Sequence, residues 1–412
     1  MPKLGVCGGG KCGTNAQLVA EGKQWIPRGV NYIRLAQNLG TGHNDSHPGG
    51  YHSNFSPKFY AGNRTIYAAA LDDLQRHGFN IVRVFIDTGG WTPDRTDGAN
   101  GDSTKTGPIS MAYVKNVADF ISMASARGIY VTPTLDALPS NGHFHSLCPG
   151  GSFGYPNDLY LGEGCVKAKA EYVRLFLQGL QASLGKAGMA GIAWISLENE
   201  AFYSTSAKPF SARSGVVQTA DGGSYDMANA TQRQQAADSN ALNWIKQVAE
   251  VTRSFDVLVG VGMFTFGAVQ KPGPRGLPLG TADTRFPFCP ASLASSRSSL
   301  DLLDVHVYEV PGWTTMAADL ASSEWSKVSF EDKPIVMGEF GAWRVSPALW
   351  PNGSAAATAM VKQQVESCRQ NFTGSMYWTY DTMEQPRLWN FKSAPQLGRA
   401  LSPKQRPDWC RP

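Results

Sequence analysis

The sequence contains few charged residues, and it has neither a long run of basic residues nor a long run of apolar ones. Charged residues make up 17% of the 412, and the formal net charge is only +4. No run of about five or more lysines and arginines occurs, so the sequence predicts no nucleic-acid partner. No stretch of about 18 apolar residues occurs either, so no membrane-spanning helix is predicted. With 42% hydrophobic residues, the chain is expected to be globular with a large core.

The N-terminus lacks an apolar signal segment. A mature exported protein whose signal had been replaced by a starting methionine would look the same, so this absence leaves the compartment open. Seven cysteines are an odd number, which leaves at least one unpaired within the chain. The plausible disulfide pairs are Cys148 with Cys165 and Cys368 with Cys410, and Cys7 with Cys12 would close an N-terminal loop. We favour an extracellular or periplasmic location, and we expect a monomer.

Short apolar runs of strand length alternate with segments of helical period. The runs predicted as strands are 29–33, 80–86, 129–135, 191–197, 257–262, 302–307, 334–338 and 375–378. The segments predicted as helices are 66–77, 109–127, 167–184, 232–253 and 355–370, and the first three end at a glycine. Runs that are apolar on both faces suit buried parallel strands, and eight such strands close a (β/α)8 barrel.

The rest of the chain is arranged around this predicted α/β barrel. Residues 1–24 form an N-terminal extension rich in glycine and cysteine, residues 25–390 form the barrel, and residues 391–412 form a tail expected to pack on it. Long segments rich in glycine, proline and serine follow several strands, at 36–64, 136–165, 201–228 and 264–300. Because such loops build the binding site of a parallel barrel, we expect one domain whose extended βα loops form a substrate cleft.

Polar side chains stand at the ends of most predicted strands, where they face the mouth of a barrel. The apolar run at 193–197 ends in Glu198, Asn199 and Glu200. The other strand ends offer Asn31, Arg83, Asp136, His306, Tyr308, Glu339 and Trp378. Unrelated structural choices would not collect these residue types at one rim. Their convergence favours a catalytic site in which a glutamate at the end of the fourth strand donates a proton.

Tryptophan is frequent in segments that also contain glycine, proline and asparagine. The tryptophans in such segments are Trp91, Trp313, Trp343, Trp350, Trp378 and Trp389. As a set on predicted loops they suit stacking against flat apolar faces, such as those of sugar rings. The predicted partner is therefore an oligosaccharide or polysaccharide.

The motifs at the strand ends resemble those of the clan A glycoside hydrolases. They are most similar to glycoside hydrolase family 5, the cellulase and mannanase family, from the first strand to the eighth. The matching motifs are Leu197-x-Asn199-Glu200, His306-x-Tyr308, Gly338-Glu339-Phe340-Gly341, and Arg83 in the strand that follows Gly78-Phe79-Asn80. An isolated Asn-Glu pair would be a weak signal, whereas the ordered set across six strands is specific.

The resemblance implies a role for each of these residues. Glu339 would be the nucleophile and Glu200 the acid/base, with no metal and no cofactor. The implied supporting residues are Asn199 on the sugar 2-hydroxyl, Arg83 and Tyr308 on the nucleophile, His306 near the acid/base, and Trp378 under the −1 sugar. We expect Asn31, Asp136 and Trp343 to bind substrate or support the site. The implied activity is retaining hydrolysis of β-linked glycans, like that of an endo-β-1,4-glucanase or β-mannanase, with exo action also open.

Two features leave other functions open. The family usually places a histidine close behind the third strand, but here the first candidates are His143 and His145, and Glu198 has no implied role. A His-x-His pair suits a metal-dependent barrel hydrolase, although in that fold the pair ends the first strand. A carbohydrate-binding barrel without catalysis would keep the tryptophans and need neither Glu200 nor Glu339.

Overall fold

The computed structural model describes residues 1–33, 55–86, 108–139, 141–274, 283–310, 314–344, 350–381 and 388–411. Trp91 and Trp313 lie outside these ranges. Three disulfides join Cys7 to Cys12, Cys148 to Cys165 and Cys368 to Cys410, as the sequence suggests, and Cys289 is a buried free thiol. Among the helices that the structure describes, none is both long and apolar enough to cross a membrane.

Eight parallel strands close into a barrel, which confirms the predicted fold class. The strands are β1 (Arg28–Asn31), β2 (Ile81–Ile86), β3 (Tyr130–Leu135), β4 (Ile195–Ser196), β5 (Val259–Phe264), β6 (Leu302–His306), β7 (Ile335–Phe340) and β8 (Ser375–Trp378). Each strand pairs with its neighbours in sequence, and β8 pairs with β1. Every residue in them is buried, because side chains fill the barrel on one face and pack under helices on the other.

Helices follow the strands around the outside of the barrel. The long helices are Pro57–His77, Met111–Ser125, Glu163–Gly188, Ala230–Arg253 and Gly353–Arg369. The short α-helices are Gly142–Leu147, Asp158–Leu161, Pro290–Ala294, Met316–Ser322 and Pro395–Ala400, and the 3-10 turns are Met189–Gly191, Gly267–Val269 and Trp325–Lys327. The five long helices match the predicted segments. The helices after β5, β6 and β8 were not predicted, because five to seven residues are too few to show a helical period.

Additional short strands decorate the barrel in antiparallel pairs. Phe202–Ser204 pairs with Arg285–Pro287, Val216–Gln218 with Ser224–Asp226, and Ala342–Trp343 with Leu388–Trp389. Each pair includes residues that follow a barrel strand, so these small sheets stand on the C-terminal side of the barrel. They give regular structure to segments that the sequence predicted only as loops.

The N-terminal extension closes the opposite end of the barrel. It forms a three-stranded antiparallel sheet, Leu4–Cys7, Gln17–Ala20 and Lys23–Gln24, where the sequence predicted only a loop. Its buried leucines, Leu4 and Leu18, pack in one cluster with residues such as Ile81, Leu302 and Met376 from the starts of the barrel strands. An apolar plug at this end leaves the carboxyl ends of the strands as the open face.

The C-terminal tail is tied to the start of β1. Arg28, which is almost fully buried, donates from Nη2 to the Leu401 carbonyl at 2.9 Å and from Nη1 to the Arg406 carbonyl. Arg406 in turn donates from Nη1 to Gln364 Oε1 at 2.8 Å. Together with the Cys368–Cys410 disulfide, these contacts fix the last residues against the barrel wall.

The strand register brings polar residues to one level of the barrel mouth. Asn31 lies beside Arg83 across β1 and β2, and beside Trp378 across β1 and β8. His306 lies beside Glu339 across β6 and β7, after an irregularity in the register of that pair. Parallel strands therefore carry these side chains to the same rim, as their positions at the strand ends predicted.

The segment after β4 is held close to β5 by a glycine. The strand itself is shorter than predicted and ends at Ser196, although Leu197 still donates to the Gly260 carbonyl at 2.9 Å. Gly262 donates to the Glu198 carbonyl at 3.0 Å, and a Cβ atom at residue 262 would lie 1.8 Å from the Asn199 carbonyl oxygen. Only glycine permits this approach, which places the polar end of the segment at the barrel mouth.

Candidate active site

Arg83 is the centre of the polar cluster at the mouth of the barrel. It lies in β2 and is fully buried. Its Nη1 donates to Glu339 Oε1 at 2.6 Å and to Asn31 Oδ1 at 2.9 Å. Its Nη2 donates to Asn199 Oδ1 at 2.8 Å. Asn31 is fixed by a bond from its Nδ2 to the Gly338 carbonyl at 2.9 Å, so one buried cation joins β1, β7 and the segment after β4.

Glu339 is almost fully buried and receives hydrogen bonds on both carboxylate oxygens. Arg83 binds Oε1, and the Tyr308 hydroxyl donates to Oε2 at 2.8 Å. Burial raises the pKa of Glu339, and the charges of His306 and Arg83 and the Tyr308 hydrogen bond oppose that effect. Burial and the nearby carboxylate of Glu339 also raise the pKa of Tyr308 well above its usual value, so this phenol remains a donor.

Glu200 is partly exposed and contacts a buried histidine. His306 Nδ1 lies 2.9 Å from Glu200 Oε1 and 3.5 Å from Glu339 Oε2. Burial alone would lower the pKa of His306. The surrounding carboxylates outweigh burial, with Glu339 contributing most, and raise this pKa to about 9. This raised pKa favours the imidazolium form of His306, in which Nδ1 donates to Glu200 Oε1.

The two glutamates face each other at short range. One ring nitrogen of His306 and one oxygen each of Glu200 and Glu339 all lie within 4.8 Å of one another. Among the residues that the structure describes, these three side chains are close enough together to share a cation. Arg83 and protonated His306 already supply positive charge there, at 2.6 Å and 3.5 Å from Glu339. We therefore assign no metal to these residues, and the arrangement suits a pair of carboxyl groups acting directly on a substrate.

Aromatic side chains form a wall beside this cluster. Trp378 is buried with its ring edge-on to Phe85, with 5.8 Å between ring centroids. Trp343 lies 6.1 Å from the Tyr308 ring, and its Nε1 donates to the Glu309 carbonyl at 3.0 Å. Tyr308 and Trp343 pack against the small buried group that contains Phe85 and Trp378. The wall therefore adjoins Glu339 through Tyr308.

A second buried acidic cluster adjoins the site, with a lysine that sequence reasoning missed. Glu198 accepts a hydrogen bond from the Ala137 N–H at 2.9 Å, and its Oε2 lies 3.4 Å from Lys169 Nζ. Lys169 also donates to the Leu135 and Ala137 carbonyls at 2.6 Å and 2.7 Å. Burial raises the pKa of Glu198 well above its usual value, and the neighbouring Asp136 carboxyl adds to the rise. Asp136 thus lies with Glu198, at the junction of β3 and the segment after β4.

The histidines after β3 lie on the short helix Gly142–Leu147. The ring of His143 packs edge-on against Phe144, with 4.9 Å between centroids. The pKa of Glu171, on the outer helix Glu163–Gly188, is lowered mainly by the hydrogen bond from Arg174, and His143 lies close enough to add to this effect. Neither His143 nor His145 belongs to the group of described residues with spacing suited to a metal ion.

The closed barrel of eight parallel strands places the protein in the class of (β/α)8 barrels, with a polar cluster at the mouth of the barrel. Models of protein families give no match to the sequence, and curated proteins give none either. Solved structures do match, over nearly the whole chain. The endo-β-1,4-mannanase from Thermotoga petrophila has a TM-score of 0.58 at 14% identity, and the match covers 95% of this chain and 79% of that one.

Two further matches are similar in extent. The β-mannanase from the blue mussel Mytilus edulis has a TM-score of 0.53 at 15% identity, with coverage of 99% of this chain and 97% of that one. The exo-β-1,4-mannosidase Op5Man5 from Opitutaceae bacterium strain TAV5 has a TM-score of 0.54 at 16% identity. That match covers 95% of this chain, which spans 61% of the mannosidase. Identities this low show the fold alone, which is the closed barrel of eight parallel strands described above.

Proposed function

We propose that the protein is a retaining β-glycosidase in which Glu339 is the nucleophile and Glu200 the acid/base. The observation that carries this proposal is the approach of the two carboxyl groups, with oxygens within 4.8 Å. Retaining enzymes place their carboxyl groups about 5–5.5 Å apart, whereas inverting enzymes leave about 6.5–9.5 Å for a water molecule. The spacing therefore favours direct attack by a carboxylate on the anomeric carbon.

The surroundings of the two glutamates suit different steps of this reaction. Glu339 must be ionised to attack, and Arg83 and Tyr308 both bind its charged form. Glu200 would carry the proton that the departing glycosidic oxygen needs, and His306, at 2.9 Å, would hold its carboxyl group in place. Once Glu339 is esterified, Glu200 acts as the base that takes a proton from water. Asn199, whose side-chain oxygen accepts from Arg83, would bond to the sugar 2-hydroxyl.

The proposed substrate is an oligosaccharide or polysaccharide with β-1,4 linkages. The names of the structural matches, which are a β-mannanase, an endo-β-1,4-mannanase and an exo-β-1,4-mannosidase, favour mannan over glucan. Trp378 would form the floor of the −1 sugar site, and Asn31, Asp136 and Trp343 would support the site or bind other sugar units. Three disulfides favour an extracellular or periplasmic location, because disulfides persist in oxidising compartments.

The experiment that tests the proposal combines a substrate screen with two variants. The wild-type protein is assayed on mannan, glucan and aryl β-glycosides, and proton NMR follows the anomer released first, which should be β. Glu339→Ala should abolish turnover, and azide should restore it with an α-glycosyl azide as the product. Glu200→Ala should lose far less activity on aryl glycosides with good leaving groups than on natural glycans, because such leaving groups need no proton.

A matched control separates loss of mechanism from loss of fold. Glu366→Ala removes a glutamate from the outer helix Gly353–Arg369 and should leave activity unchanged. Substantial activity of Glu339→Ala without azide, or release of the α anomer by the wild type, would contradict the assignment. Binding of oligosaccharides without release of reducing ends would favour a non-catalytic binding barrel instead.

A further inference from the structure

Asp304 is a buried carboxylate beneath the site, in the middle of β6. Its Oδ2 lies 3.4 Å from Arg83 Nε, and its Oδ1 lies 3.5 Å from His306 Nε2. The other nitrogens of these two side chains point away from Asp304, with Arg83 Nη1 bonded to Glu339 and His306 Nδ1 close to Glu200. A carboxylate that is fully withdrawn from water is costly unless cations compensate its charge, and Arg83 and His306 supply that compensation.

The neighbouring strand β7 leaves room for this carboxylate. A Cβ atom at Gly338 would lie 1.5 Å from Asp304 Oδ1, so any other residue there would displace the side chain. The register between β6 and β7 is irregular between Asp304 and His306, and this irregularity brings His306 level with Glu339. The space for the Asp304 side chain is therefore left by Gly338, the residue of β7 that directly precedes Glu339.

We propose that Asp304 is a positioning residue that holds Arg83 and His306 in their working orientations. Its contact with Arg83 Nε directs the two Nη atoms toward Glu339 and Asn199. Its contact with His306 Nε2 keeps a proton on that nitrogen and leaves Nδ1 to meet Glu200. Asp304, which is not one of the two reacting glutamates, therefore holds the two cations, Arg83 and His306, that lie beside them.

The ionisation of His306 reports on this arrangement. The charged and titratable groups that face its ring are Asp304 from its own strand, Glu339 from β7 and Glu200 from the segment after β4. Asp304 is one of the groups that raise the pKa of His306 to about 9, because its carboxylate lies 3.5 Å from Nε2. Removing this charge should lower the pKa, because an adjacent carboxylate favours the imidazolium.

The test is Asp304→Asn, with the His306 pKa measured by NMR on protein carrying nitrogen-15-labelled histidine. The pKa should fall by about 1–2 units, the usual effect of one charge at this distance. The high-pH limb of kcat should move down by a similar amount, with little change in KM. Asp301→Asn is the matched control, because Asp301 stands at the other end of β6, where its Oδ2 accepts from the Val259 N–H at 2.8 Å.

Two outcomes would overturn the inference. One is a folded Asp304→Asn protein whose His306 pKa is unchanged. The other is a wild-type His306 that titrates near 6.5, its ordinary value, and this result would contradict the inference even where the variant does not fold. Only the kinetic consequence rests on the proposed function. A wild-type protein inactive on all glycosides would refute the glycosidase assignment, while the NMR titration would still test Asp304.

Discussion

Tyr308→Phe is the sharpest perturbation of the proposed nucleophile. It removes one oxygen atom and the 2.8 Å hydrogen bond to Glu339 Oε2, and it leaves the ring in its contact with Trp343. Burial raises the pKa of Glu339, and the Tyr308 hydrogen bond is one of the contributions that oppose this rise. Without the hydroxyl, the pKa should rise further. Because attack needs the ionised carboxylate, the acid limb of kcat/KM should move to higher pH.

The size of the shift follows from the strength of the bond. A hydrogen bond to a charged group contributes about 1.5–3 kcal/mol, and one pKa unit corresponds to about 1.4 kcal/mol. The acid limb should therefore move up by about 1–2 pH units. Below the limb, kcat/KM should fall by about 10- to 100-fold. On the alkaline plateau, where Glu339 is ionised in both proteins, the loss should be smaller.

The assay is the pH dependence of kcat/KM on an aryl β-glycoside, which reports ionisations of the free enzyme. Tyr377→Phe is the control, because Tyr377 is another buried barrel tyrosine whose hydroxyl bonds to the Trp389 carbonyl rather than to a carboxylate. Its acid limb should stay at the wild-type position. An unmoved acid limb in Tyr308→Phe, or one shifted to lower pH, would refute the role given to this hydrogen bond.

Two further predictions concern stability. Lys169→Met removes the partner of Glu198 and the donor to two carbonyls at the end of β3, so the free energy of unfolding should fall by about 3–5 kcal/mol in chemical denaturation. The exposed Lys167→Met should change it little, and equal losses would contradict the argument. Replacing Cys368 and Cys410 by alanine opens a link between residues 42 apart, which should cost about 4 kcal/mol by chain entropy. An unchanged denaturation midpoint would show that the tail is held by other contacts.

The barrel could be predicted because its signal is local. Each strand is a short run that is apolar on both faces, and glycines mark helix ends, as at Gly78, which has the left-handed conformation after Pro57–His77. Gly185 also has a left-handed φ of 68°, but the helix resumes beyond it and runs to Gly188. Gly185 therefore marks a break in the helix, as predicted, but the sequence did not show that the helix continues after it.

The supporting residues could not be predicted, because their partners are distant in sequence. Asp304 carries no signal until β2 brings Arg83 and β7 brings a glycine beside it. Lys169 lies in a helix with charged residues on its exposed face, and only the fold shows that its amine reaches the end of β3. The N-terminal sheet could not be predicted because its strands have four residues or fewer. The segment around them is also rich in glycine and cysteine, which is typical of a loop.

The end of β4 shows why spacing alone could not choose between two glutamates. Glu198 and Glu200 are two residues apart, so regular strand alternation would put both on one face. The strand ends at Ser196, however, and beyond it Glu198 turns toward Lys169 while Glu200 meets His306. Glu198 is buried, and its contacts are with the Ala137 N–H and the Lys169 amine rather than with His306 or Glu339. Glu200 keeps 29% of its side chain exposed. A group that must pass a proton to a leaving oxygen and take one from water needs that access, whereas the proposed nucleophile, Glu339, gains from being enclosed and fixed.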